Sequence, residues 1–163
     1  LGRIGKAMTR KAKAFDMKVI AYDPFPDHKF AGEQSIPILT LDEVLQQADY
    51  VSLHLPATPE THKLINSRKL ALMKPSAFLL NTARGAVIDE EALYDTLKNK
   101  RIAGAGLDVF EHEPPVGSPL TTLDNVVMTA HTAGVDLESR DAMALSAAKS
   151  LVALLKGEWP EEM

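Results

Sequence analysis

No cysteine occurs among the 163 residues, which excludes disulfides, Cys-ligated zinc and a thiol nucleophile. No uninterrupted apolar run approaches the ~18 residues of a membrane span. An excess of positive charge is also missing. Lys and Arg number 18 against 22 Asp and Glu, a net charge of −4 with no basic block, so neither a nucleic-acid nor an anionic membrane surface is expected. There is no initiator Met. The chain opens Leu1-Gly2-Arg3-Ile4-Gly5, with no room for a strand ahead of the glycines, and reads as a piece of something longer. The missing signal peptide is therefore uninformative.

What is there is 45 % hydrophobic and 25 % charged, the composition of a folded soluble protein whose length suits one core. Ile4, Met8, Ala12 and Phe15 recur at helical spacing and predict an amphipathic helix from about Arg3 to Phe15. Val19 to Tyr22 reads as a buried strand closed by Asp23-Pro24, followed by a loop to Pro37. Thr40-Leu41-Asp42-Glu43 has the form of a capping box and starts a helix to about Gln47.

Further strands are expected at Tyr50 to Leu55, Ala77 to Leu80, Ile102 to Leu107 and Val126 to Thr129. Helices are expected from Asn66 or Ser67 through Leu72, from Asp89 to about Lys98, and from Asp136 to Gly157, the last with Ala144, Ala148, Leu151 and Leu155 on one face. The small residues Ala103 to Gly106 imply that something packs close against that strand's backbone. Strand and helix alternate throughout, the pattern of an α/β domain with a mainly parallel, doubly wound sheet.

Ligands of such sheets bind outside the carboxyl ends of the strands, so the residues following each strand matter most. They are Asp23, Pro56, Asn81 to Arg84, Asp108 and His131. Gly2-Arg3-Ile4-Gly5 is the second half of a G-x-G-x-x-G dinucleotide fingerprint, in which Gly2 would let the backbone approach a pyrophosphate and Gly5 would let the helix pack on the sheet. Asp23, 18 residues after Gly5, stands where an acid would bind the adenosine ribose; it also reads as an Asp-Pro turn residue. A carboxylate there repels a 2′-phosphate, which favours NAD over NADP.

Arg84 offers a planar fork for a substrate carboxylate, although alone it also reads as a surface ion-pairing residue. His131 suits general acid and base work, since an imidazole titrates near neutrality; a lone His is as readily structural. Glu113 could hold that imidazole in one tautomer and favour its protonated form, or simply face solvent. His54, His62 and His112 have no partners at metal-ligand spacing and are read as structural or exposed, so no metal site is expected.

Six segments together resemble the cofactor domain of the D-isomer-specific 2-hydroxyacid dehydrogenases. They are Leu1 to Gly5, Ala21 to Pro24, His54 to Thr61, Asn81 to Asp89, Gly106 to Pro114 and Thr129 to Gly134. Phosphoglycerate dehydrogenase and glyoxylate/hydroxypyruvate reductase are the members it most resembles. The resemblance implies a Rossmann NAD-binding domain at 1–157 that lacks its first strand, with 158–163 beginning the crossover to an absent substrate domain. A longer chain or a cleaved partner is expected to fill the empty central place of the 3-2-1-4-5-6 sheet.

The resemblance further implies the roles. Arg84, Glu113 and His131 match the catalytic Arg, Glu and His: Arg84 anchors the 2-oxo acid, His131 protonates its carbonyl oxygen as NADH delivers hydride, and Glu113 supports His131. Gly2, Arg3 and Ile4 match positions at the pyrophosphate, and Asp23 matches the ribose acid. Pro56 and Thr61 match the loop beside the adenosine half, while Thr82, Asp108 and Gly134 match positions around the nicotinamide, and Arg84 and His131 are expected to contact the cofactor as well. Expected with these are a small 2-oxo or 2-hydroxy acid substrate, a homodimer and a cytoplasmic location. A competing reading is an NAD-binding corepressor or sensor without turnover. Formate dehydrogenase fits less well, because that group resembles this pattern with Gln where Glu113 stands.

Overall fold

Four short strands, β1 (Tyr50–Leu53), β2 (Phe78–Asn81), β3 (Gly104–Leu107) and β4 (Val126–Met128), pair side by side, all parallel, in the order in which the chain meets them. The computed structural model describes residues 1–160. It divides into two compact units, 1–130 and one beginning at His131.

Register explains the composition of the strands. Val51, Leu79, Ala105 and Val126 stand in one row, and Leu53, Asn81, Leu107 and Met128 in another on the same face. That face is the core, closed by Leu45 of α3 (Leu41–Gln47), Leu70 of α4 (Ser67–Leu70) and Leu93 and Leu97 of α5 (Glu90–Lys98). The opposite face carries Phe78 and Leu80 on β2 beside Gly104 and Gly106 on β3. A Cβ at Gly106 would lie 2.9 Å from Leu80 Cδ2, and one at Gly104 would lie 2.7 Å from the Asn125 carbonyl oxygen and 3.1 Å from Phe78 Cε1. The close approach read from Ala103 to Gly106 is therefore that of these neighbours.

The helix starts follow local chemistry. Thr40 and Glu43 form the reciprocal capping box, while Asn66, Asp89 and Asp136 each accept the N–H three residues on. Helix α1 (Arg3–Ala14) forms where expected, but it buries Gly5 and Thr9, and its apolar positions Ile4, Met8 and Phe15 are exposed.

Two expectations are corrected. Val19 to Tyr22 is not a strand: its pairing is the single parallel bridge between Ala21 and Ile38, because no neighbouring strand among the described residues continues the ladder. The loop before Pro37 contains a helix, α2 (His28–Glu33). Asp27 caps it, and Phe30 is buried beneath the cations of Lys6 and Arg10, 5.4 and 5.5 Å from the ring centre.

The second unit consists of a turn and α6 (Leu137–Leu155), capped by Asp136 and ended at Gly157, whose φ is +76°. Leu151 and Leu155 on its expected apolar face are exposed. Of the expected crossover at 158–163, the acidic pair Glu161-Glu162 lies outside the described residues. No described helix is long and apolar enough to cross a membrane.

Candidate active site

Helix α1 begins at Gly2, an extended N-cap with no side-chain cap, and its first turn contains no acid. The first intrahelical bond runs from the Lys6 N–H to the Gly2 carbonyl at 2.9 Å, so the N–H groups of Arg3, Ile4 and Gly5 have no partner within the helix. A Cβ at Gly2 would meet nothing within 4 Å, which leaves the backbone open to a ligand. Asp23 stands beside this entrance, against Leu1, and its carboxylate accepts the Phe25 N–H at 2.8 Å.

An uncapped helix start and a carboxylate in contact with the same loop are the donor set and the acid that a dinucleotide pyrophosphate and ribose require. NAD therefore fits the residues present, and Gly2, Arg3, Ile4 and Asp23 are the candidates to hold its phosphates and ribose. The role read for Gly5 is not needed among the described residues, since a Cβ there would meet His54 Cδ2 only at 4.0 Å, ordinary contact. His54 is structural, as expected: it is half-buried, its Nε2 lies 2.9 Å from Ser52 Oγ, and desolvation lowers its pKa. Thr61 Oγ1 donates to the Pro56 carbonyl at 2.7 Å and accepts from the Thr58 N–H at 2.8 Å, drawing Pro56 and Thr61 into one tight turn.

Asn81 builds the Arg84 loop. Only 1 % exposed, its side-chain amide donates to the Arg84 carbonyl and accepts from the Ala83 N–H, both at 3.0 Å. Its backbone carbonyl accepts the Asp108 N–H at 2.9 Å. Thr82 and the Arg84 guanidinium are thereby left on the exposed side, with Arg84 Nη1 donating to the Ala83 carbonyl at 2.6 Å. Asp108 is buried at the end of β3 and accepts from Thr129 Oγ1 beyond β4.

Gly85 then carries the chain directly against the Phe110 backbone, where a Cβ would lie 1.9 Å from the Phe110 carbonyl carbon. The Phe110 N–H donates to Glu113 Oε1 at 3.0 Å, so the loops bearing Arg84 and Glu113 are in contact. Glu90 adds a bond that sequence reasoning missed, with Oε1 accepting the Glu111 N–H at 2.5 Å. In the sequence Glu90 is only an acid in the first turn of a helix, and its partner is 21 residues away.

Burial pushes the Glu90 carboxyl above its ordinary 4.5, and the Glu111 and Glu113 carboxylates add to the rise; the Glu111 N–H and His112 oppose it. A raised acid pKa makes the charged form a native-state cost, absent below 4.5 and complete once the pH exceeds the raised value. Glu90→Gln removes that titration. Its stability relative to the parent is expected to move in the variant's favour as pH rises from below 4.5, read by denaturant midpoints across the range.

His131 opens the second unit, exposed and with φ of +55°. Gly134 is exposed in the turn that follows, closed by the Val135 N–H to the Thr132 carbonyl at 3.0 Å.

Comparison with known proteins converges on the same reading. Residues 1–133 match the family model of the D-isomer specific 2-hydroxyacid dehydrogenase NAD-binding domain. The chain is 48 % identical over 164 residues to a glyoxylate reductase of Thermofilum pendens, covering 98 % of this chain and 48 % of the relative. It is 42 % identical to a D-3-phosphoglycerate dehydrogenase of Methanocaldococcus jannaschii, covering 100 % of this chain and 31 % of that protein. In structure it is similar to a D-lactate dehydrogenase from Aquifex aeolicus complexed with NAD and lactic acid. That match has a TM-score of 0.87 at 36 % identity and covers 96 % of this chain and 52 % of that one.

The chain thus spans about half the length of the curated glyoxylate reductases it matches. A non-catalytic sensor finds no support among these relatives. The parallel sheet, the helix-mouth glycines and the family match agree that the chain belongs to the D-isomer-specific 2-hydroxyacid dehydrogenases, as their Rossmann-type NAD-binding domain.

Proposed function

We propose that the protein to which this domain belongs is an NAD-dependent reductase of small 2-oxo acids, working reversibly on the D-2-hydroxy acids. The observation that carries this reading is the contact between the Arg84 and Glu113 loops, locked by Gly85 against Phe110 in a family member that keeps both side chains. Bound NAD(H) supplies or accepts the hydride. Arg84 pairs its guanidinium with the substrate carboxylate and draws charge from the neighbouring carbonyl. His131 gives a proton to the carbonyl oxygen in reduction and recovers it in oxidation, and Glu113 supports it. Thr82, Asp108 and Gly134 border the nicotinamide; Pro56 and Thr61 border the adenosine half.

Residues 1–157 form the cofactor domain. On the family resemblance we also propose a homodimer formed through this domain and a cytoplasmic location. The complete protein mixed with NADH and glyoxylate is expected to consume NADH and form glycolate stoichiometrically. Absence of turnover across a panel of small 2-oxo acids overturns the reading.

A further inference from the structure

Arg84 and Glu113 stand on different loops, and a guanidinium and a carboxylate serve one reaction only if those loops hold a fixed relation. Gly85 contributes contact without a directional bond, since its α-carbon faces the Phe110 carbonyl. The directional bond comes from Glu90, one residue beyond the Asp89 cap of α5. Helix α5 anchors it through the buried Leu93 and Leu97, so the Glu90 carboxylate projects from a rigid element. Its Oε1 takes the Glu111 N–H at 2.5 Å, two residues before Glu113 and next to Phe110, whose own N–H is taken by Glu113. Two consecutive backbone donors are thus held by two carboxylates, one from the helix and one from the loop itself.

We infer that Glu90 is a positioning residue for the proposed reaction, its carboxylate pinning the Glu113 loop to the start of α5 and so to the Arg84 loop. This rests on the reading of Arg84 and Glu113 given above. The groups facing Glu90 from the opposite loop are Glu111, His112 and Glu113, two of them carboxylates. An acceptor that must sit among like charges is retained at an electrostatic cost, which fits a role set by geometry. The amide of a Gln could accept the same N–H without the charge.

The test compares Glu90→Ala and Glu90→Gln in the complete protein. Glu90→Ala leaves the Glu111 N–H without its acceptor. It is expected to lower kcat about tenfold, keep the NADH Kd within about twofold, and speed hydrogen exchange at the Glu111 amide. Glu90→Gln is expected to restore kcat and slow exchange. Parental kcat and unchanged Glu111 exchange in Glu90→Ala overturn the inference. So does an equal kcat loss in both variants, or a loss of NADH binding in step with turnover. Arg84→Ala in parallel separates the two levels: if it abolishes turnover while Glu90→Ala keeps the parental kcat, only the positioning role fails. If the parent turns over no 2-oxo acid, the catalytic reading fails, and Glu111 exchange still decides whether Glu90 pins the loop.

Discussion

Gly85→Ala is expected to cost the protein about 3–5 kcal/mol of stability and, in the complete protein, to remove the proposed turnover. A Cβ at this position would lie 1.9 Å from the Phe110 carbonyl carbon, 2.1 Å from its oxygen and 2.4 Å from the Glu111 nitrogen. All three are backbone atoms, so no side-chain rotation relieves the overlap. The loop itself must move, by more than an ångström.

The atoms it would carry are donors already committed, Phe110 N–H to Glu113 and Glu111 N–H to Glu90. Overpacking alone costs about 1–3 kcal/mol, and each lost hydrogen bond about 1 kcal/mol. Against a usual stability of about 5–15 kcal/mol, that sum reaches the range where folded yield falls. Gly85 is not among the residues with positive φ, so backbone strain has no part in the effect. Gly2→Ala is the internal control, since a Cβ there meets nothing within 4 Å. Denaturant midpoints for the two variants decide the matter: a Gly85→Ala midpoint equal to that of Gly2→Ala means the loop gives way freely, and the interlock is not rigid.

How much of this was legible beforehand follows the range of each interaction. Thr40 with Glu43, Asn66 with Lys69, Asp89 with Ala92 and Asp136 with Ser139 are contacts three residues apart, and each helix start was readable from its cap. Helix α2 was not, because six residues, one of them Gly32, are too few for a periodic pattern. What holds it, Phe30 under Lys6 and Arg10 of α1, is tertiary. Val19 to Tyr22 failed for the converse reason. Its composition is strand-like, but a strand is a property of a pair, and Ala21 finds one bridge partner.

At the candidate site, the rule that ligands meet the carboxyl ends of parallel strands pointed to the loop after Asn81 and to the acid Asp108. The rule could not reveal that Asn81 ties both together through its amide and its carbonyl. Nor could it select Glu90, whose sequence neighbours say only that a helix begins.

His131→Gln separates binding from chemistry. The proposed turnover of the complete protein is expected to fall by about 10²- to 10⁴-fold, the usual contribution of a positioned general acid. Glutamine keeps a polar, hydrogen-bonding side chain but has no group that releases a proton near neutrality. His131 is exposed, so the change removes no core packing, and stability should stay within about 0.5 kcal/mol of the parent. Its φ of +55° is already a conformation that L-residues adopt reluctantly, and Gln inherits it with little added strain.

The helix-mouth donors of Arg3 and Ile4 and the Asp23 carboxylate are untouched, so the NADH Kd from fluorescence titration should remain within about twofold of the parent. A pH-rate profile adds a second criterion. The limb that reports the general acid should be present in the parent and absent from the variant's residual activity, because no titrating group remains at that position. Equal loss of turnover and NADH affinity would assign His131 to cofactor binding instead. Residual activity that keeps the parental pH limb would place the acid elsewhere in the protein.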